Sequence, residues 1–81
     1  MVLFEFTKVK SVLGELGTTN DAKIKHYGEM ADNAIMADLI NVHNVPNPPV
    51  ATDNVLTAVE LSDIKSFATQ YCVGYFYKFE S

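Results

Sequence analysis

Apolar residues recur every three or four positions along most of this chain, the period of helices that bury one face. Three segments carry the pattern. In the first, Val9, Val12 and Leu13 form a short stripe within residues 7–14, with Thr7 as the capping hydroxyl and Gly14 as the stop. Gly17-Thr18-Thr19-Asn20 reads as a loop. Asn20 or Thr19 then caps a long second helix over 20–43, with Asp21 in its first turn at the positive end of the dipole. Ile24, Tyr27, Ala31, Ala34, Ile35, Asp38 and Leu39 line one side of that helix. Gly28 in its interior costs about 1 kcal/mol relative to alanine, which points to a close helix contact there. Pro46, Pro48 and Pro49 cannot continue the helix, so residues 44–56, NVPNPPVATDNVL, are expected as a long connection.

The third helix, over 57–79, has the clearest start. Thr57-Ala58-Val59-Glu60 is a capping box, flanked by Leu56 and Leu61 at the spacing of a hydrophobic staple. Its stripe runs Leu61, Ile64, Phe67/Ala68, Tyr71/Cys72, Tyr75/Phe76 and Phe79, more than five turns and about 30 Å long. Residues 1–6 alternate enough to be an extended arm or a short strand, which could not form a sheet alone. The pattern predicts one all-α domain over residues 1–81, a small bundle of one short and two long helices with a Pro-containing loop between the long ones.

The last turns, Tyr71-Cys72-Val73-Gly74-Tyr75-Phe76-Tyr77-Lys78-Phe79, hold more apolar surface than one buried face requires. Phe67, Tyr71, Tyr75 and Phe79 form an i,i+4 series that reads as core, widened by Cys72 and Phe76. Val73 and Tyr77 lie to the other side, where a three-helix core does not reach. Tyr and Phe are enriched at protein interfaces, so Val73, Tyr77, Phe76 and Phe79 are the interface candidates on this helix. In the loop the candidates are Pro46, Pro48, Pro49 and Val50, because a proline-restricted backbone loses less entropy on docking. The loop reads equally well as a solvent-exposed tether between antiparallel helices.

Composition narrows what such surfaces could meet. The chain has 81 residues, ten carboxylates against six lysines, no arginine, and a net charge of −4. Nucleic-acid binders carry basic, usually Arg-containing patches, and base-stacking aromatics are interleaved with cations, whereas only Lys78 lies in the aromatic tail. A membrane-surface helix needs a basic polar face, and no apolar run reaches the roughly 20 residues of a span. Met1-Val2-Leu3-Phe4-Glu5 bears an acid too early for a secretory signal, so the chain reads as soluble and intracellular where it is made. A domain of this size buries only about 60–65% of its unfolded surface and benefits from an added staple. A lone Cys72 cannot form an intrachain disulfide and suits a reducing compartment, which leaves oligomerisation as the expected support.

Candidate chemistry is sparse. Cys72 sits mid-helix among aromatics, where a thiol is ordinarily inert packing. His26 and His43 would lie about 25 Å apart on one helix and share no metal spacing. Asp21, Asp32, Glu60 and Asp63 read as a solvated face, and Asp38 as partly exposed or paired with a neighbour. No phosphate loop or ligand run accompanies them. No catalytic, metal or cofactor-binding residue is expected, and the chain is not expected to be an enzyme.

Four stretches together resemble the small helical head–tail connector (adaptor) proteins of tailed viruses. Thr7-Lys8-Val9-Lys10-Ser11-Val12-Leu13-Gly14 is similar to their opening short helix. Asn20-Asp21-Ala22-Lys23-Ile24 through Ala31-Asp32-Asn33-Ala34-Ile35 is similar to their long second helix. The prolines of 46–49 follow, and Leu61-Ser62-Asp63-Ile64-Lys65-Ser66-Phe67-Ala68-Thr69-Gln70-Tyr71 is similar to their closing helix. The resemblance implies a virion structural protein, made in the host cytoplasm and located at the head–tail junction. It would form a homo-oligomeric ring between the portal protein and a tail or stopper protein, and DNA would pass through it without specific binding. It implies no cofactor and no membrane. A cellular helical interaction module or regulatory subunit is the alternative.

Overall fold

The computed structural model describes residues 3–45, 49 and 56–80, without the side chains of Val42 and His43. It is all-α among those residues. The elements are α1 (Phe6–Leu13), α2 (Glu15–Thr18), α3 (Asp21–His43) and α4 (Ala58–Glu80). Pro46, Pro48 and Val50, and with them most of the expected loop, lie outside the described residues; Pro49 is buried.

Helix α1 starts one residue earlier than expected. Its N-cap is Glu5 in extended geometry, with no side-chain cap, so Thr7 falls within the first turn. Gly14 ends it with φ at +62°, a left-handed value that favours glycine, and its N–H donates to the Lys10 carbonyl. Gly17 and Thr18, expected to open the 17–20 loop, instead complete one helical turn, Glu15–Thr18, and only Thr19 and Asn20 stay non-helical. The Thr18 hydroxyl donates to the Glu15 carbonyl at 2.7 Å, and the Gly17 N–H to the Gly14 carbonyl at 3.0 Å. Gly17 is required because a Cβ there would lie 2.7 Å from the Lys10 carbonyl oxygen.

Asn20 precedes α3 as expected but does not cap it through its side chain; its amide donates back to the Leu16 carbonyl at 2.6 Å. At the far end Asn44 takes the left-handed conformation (φ 55°, ψ 32°), and the Val45 N–H closes onto the Leu39 carbonyl at 3.0 Å. Asparagine is among the few residues that adopt this geometry readily.

The capping box of α4 forms as read. The Glu60 N–H donates to the Thr57 hydroxyl and the Thr57 N–H to the Glu60 carboxylate, each at 3.1 Å. Those bonds hold the Glu60 carboxyl below its ordinary range. Leu56 is buried and Leu61 packs partly buried against the core. Thr57→Ala is expected to lose about 1 kcal/mol of stability, read as a lower urea midpoint with an unchanged slope.

Helices α3 and α4 run antiparallel. The Cys72 thiol in the second half of α4 donates to the Ile24 carbonyl near the start of α3, and Lys23 donates to Glu80 at the end of α4. Their small residues let them approach closely: Ala31, Ala68 and Cys72 are all fully buried. Val9 and Leu13 from α1, Ile24, Tyr27, Met36 and Leu39 from α3, and Phe76 from α4 complete the core. Val12, expected in the stripe of α1, faces outward, and Ala34 and Asp38 of α3 are exposed.

The N-terminal arm fills the space that remains. Leu3 and Phe4 are buried. Both oxygens of the Asp32 carboxylate accept from this backbone, one from the Leu3 N–H at 2.9 Å and one from the Phe4 N–H at 3.0 Å. The Glu5 N–H donates to the Thr69 hydroxyl at 3.0 Å, and that hydroxyl donates on to the Lys65 carbonyl. Asp32 is therefore not on a solvated face: it is 4% exposed and ties the arm to α3, while Thr69 ties it to α4. The Phe4 ring lies on Gly28, so the missing Cβ there accommodates an aromatic ring from the arm rather than another helix.

Candidate functional site

Cys72 is fully buried, and burial, aided by the Asp32 charge, pushes its thiol up to about 11. At neutral pH it is protonated, inaccessible and bonded to the Ile24 carbonyl, which is the behaviour of a packing residue. His26 is exposed, and the side chain of His43 lies outside the described residues. Among the described residues no three His, Cys, Asp or Glu side chains gather as metal ligands, and no helix is long and apolar enough to cross a membrane.

What the fold does create is surface. Helix α4 turns Ala68, Cys72 and Phe76 inward, so the residues opposite them face outward: Asp63, Phe67, Gln70, Tyr71, Gly74 and Lys78. Phe67 is 55% exposed and Tyr71 51%. The expected i,i+4 core series is thereby corrected for its first half. The space between α3, α4 and the arm takes Ala68 and Cys72, and a Phe or Tyr there would force the long helices apart. Gly74 has nothing within 4 Å of where its Cβ would stand. Around it Gln70, Tyr71, Tyr75 and Lys78 line a shallow groove of about 300 Å³.

The second half of the series does fold back onto its own chain. Tyr75 packs partly against the core. Its ring lies 6.5 Å from Tyr71 and 6.1 Å from Phe79, and Phe79 stacks on Tyr27 at 5.9 Å. One residue on, Glu80 accepts hydrogen bonds from the Lys23 ammonium at 2.5 Å and from the Tyr27 hydroxyl. This clasp fixes the end of α4 to the start of α3.

The sequence-derived interface residues of α4 separate accordingly. Phe76 is 3% exposed and belongs to the core of its own chain. Val73 is half-buried and packs against that core, so Val73→Asp acts on the fold and not only on a surface. Tyr77 and Phe79 stay about half exposed. Tyr77 borders a second groove of about 330 Å³ with Leu16, Asn20, Lys23 and Glu80. Phe67, Tyr71 and Gly74, which form the larger outward face, were not among the candidates. Their signal was the 63–67–70–74 spacing opposite the small residues Ala68 and Cys72.

The clasp has a pH signature. Hydrogen bonds from Lys23 and Tyr27 hold the Glu80 carboxyl below its ordinary range, and the Glu80 hydrogen bond holds the Tyr27 hydroxyl above its own. The Glu80 contribution is therefore present above the unfolded carboxyl value of about 4.3 and is lost as pH falls through the lower folded value. The Tyr27 contribution is lost as pH rises beyond about 10. Glu80→Gln is expected to melt below the wild type at pH 7, with the gap closing under about pH 4; a gap unchanged down to pH 3 would contradict the clasp.

No family model, curated protein or solved structure matches the chain.

Proposed function

We propose that this chain is a structural subunit that works by assembly, as a head–tail connector: copies form a ring between the portal and the tail or stopper protein of a tailed virus. The observation that carries this reading is the outward face of α4, where Phe67 and Tyr71 stand half exposed beside the bare backbone of Gly74. Grouped exposed aromatics are the mark of protein interfaces. A ring also requires a second, different face on each subunit. The Leu16–Tyr77 groove and the Pro-containing loop 44–56 are assigned that role, in a bundle of one short and two long helices.

The charge balance supports passage of DNA rather than its capture. The net charge is −4 with no arginine, and carboxylates on a lumen wall would repel phosphate and let DNA slide. In this reading the protein is made in the host cytoplasm and resides at the head–tail junction, with neither cofactor nor catalysis. The test is Tyr71→Asp. It should abolish co-sedimentation with a portal ring encoded in the same genome while leaving far-UV circular dichroism unchanged. Undiminished co-sedimentation would remove the α4 face from the assembly surface.

A further inference from the structure

The outward face of α4 has a symmetry of its own. Phe67 and Gly74 lie at equal distances on either side of the point between Gln70 and Tyr71, and so do Asp63 and Lys78. All six residues fall within a stripe about 100° wide, and Asp63 to Lys78 spans about 22 Å of helix. Asp63 and Lys78 are exposed, and neither joins an ion pair among the described residues; the Lys78 ammonium rests only over its neighbour Phe79 at 5.4 Å.

We infer that in the free protein this face is covered by the same face of a second copy, the two α4 helices running antiparallel about that midpoint. Each Phe67 ring then seats on the partner copy's glycine at position 74, and each Asp63 meets a lysine at position 78. The chain already uses such a contact internally, where the Phe4 ring lies on Gly28 so closely that a Cβ would stand 2.3 Å from it. Gly74 is otherwise unexplained, because an exposed glycine inside a helix is unfavourable by about 1 kcal/mol and none of the described residues needs the space. A parallel arrangement would set Asp63 against Asp63 and Lys78 against Lys78, whereas the antiparallel one pairs opposite charges twice and opposes the helix dipoles. The contact is isologous and closes on itself. It rests on the reading of the α4 face as an assembly surface, and it makes the pair the resting form of the subunit, exchanged when a larger partner takes the face.

Sedimentation equilibrium of the full chain from about 1 µM to about 1 mM tests it. A reversible dimer is expected. Gly74→Leu fills the cradle, where an added Cβ would meet nothing within 4 Å, and should weaken the dimer at least about tenfold. Asp63→Lys and Lys78→Asp should each weaken it about tenfold, since each creates two like-charge contacts, and the double exchange should restore it to within about threefold of wild type. A chain monomeric throughout, or a double exchange as weak as the single ones, would overturn the pairing. A monomer that still joins a portal ring, and loses that ability with Tyr71→Asp, would overturn this pairing alone and leave the assembly reading intact.

Discussion

Asp32→Ala is expected to remove about 3 kcal/mol of stability, the largest loss from any single polar replacement in the chain. The carboxylate lies inside the protein and accepts two backbone N–H bonds from consecutive residues of the arm. Alanine leaves both donors buried without partners, and each such orphan costs about 1–3 kcal/mol. A chain of this size has only about 4–12 kcal/mol in total, so a large part of it is at stake. Asp32→Asn keeps one accepting oxygen and should lose about half as much. Urea unfolding followed by circular dichroism checks both. A loss below about 1 kcal/mol for the alanine variant would mean that the arm does not rest on Asp32.

The second large effect changes sign with its background. Gly28→Ala should destabilise the wild type by about 2 kcal/mol, although alanine is the better helix former by about 1 kcal/mol. The new methyl would sit 2.3 Å from two atoms of the buried Phe4 ring and 2.5 Å from a third, so the ring must leave its seat. Displacing a buried aromatic outweighs the gain in propensity. Once Phe4→Ala has removed the ring, Gly28→Ala should become stabilising by about 1 kcal/mol, a coupling of about 3 kcal/mol between the two sites. Additive effects in that double-mutant cycle would contradict the packing of the arm.

These two sites show where sequence reasoning stopped. The Thr57–Glu60 box and the Gly14 stop are local signals, and local signals are legible; the left-handed Asn44 that ends α3 was not read, its stop being inferred from the prolines beyond it. Nor was the arm legible. Leu3 and Phe4 gain their partners from residues more than 20 positions away, and nothing near them announces that Asp32 will turn inward to hold them. The hint lay in Gly28 and Asp32 falling four apart beside the apolar stripe of α3, each next to one of its members.

The surface of α4 was legible in kind but not in orientation. The excess of aromatic residues was visible, and so was the conclusion that one side lacks cover. The i,i+4 series Phe67, Tyr71, Tyr75 and Phe79 reads as core from its spacing, whereas close approach of α3 and α4 selects Ala68 and Cys72 and turns Phe67 and Tyr71 outward. Beyond Cys72 the aromatics reach across to the rest of the chain, through Phe76 in the core and Phe79 on Tyr27.

The assembly reading depends on how many copies join a partner through that outward face. Native mass measurement of the full chain mixed with a portal ring from the same genome tests it most directly. The account predicts a complex heavier than the ring by several multiples of the chain's own mass, lost with Tyr71→Asp. A ring of unchanged mass beside free chain, or a complex holding a single copy, would contradict it.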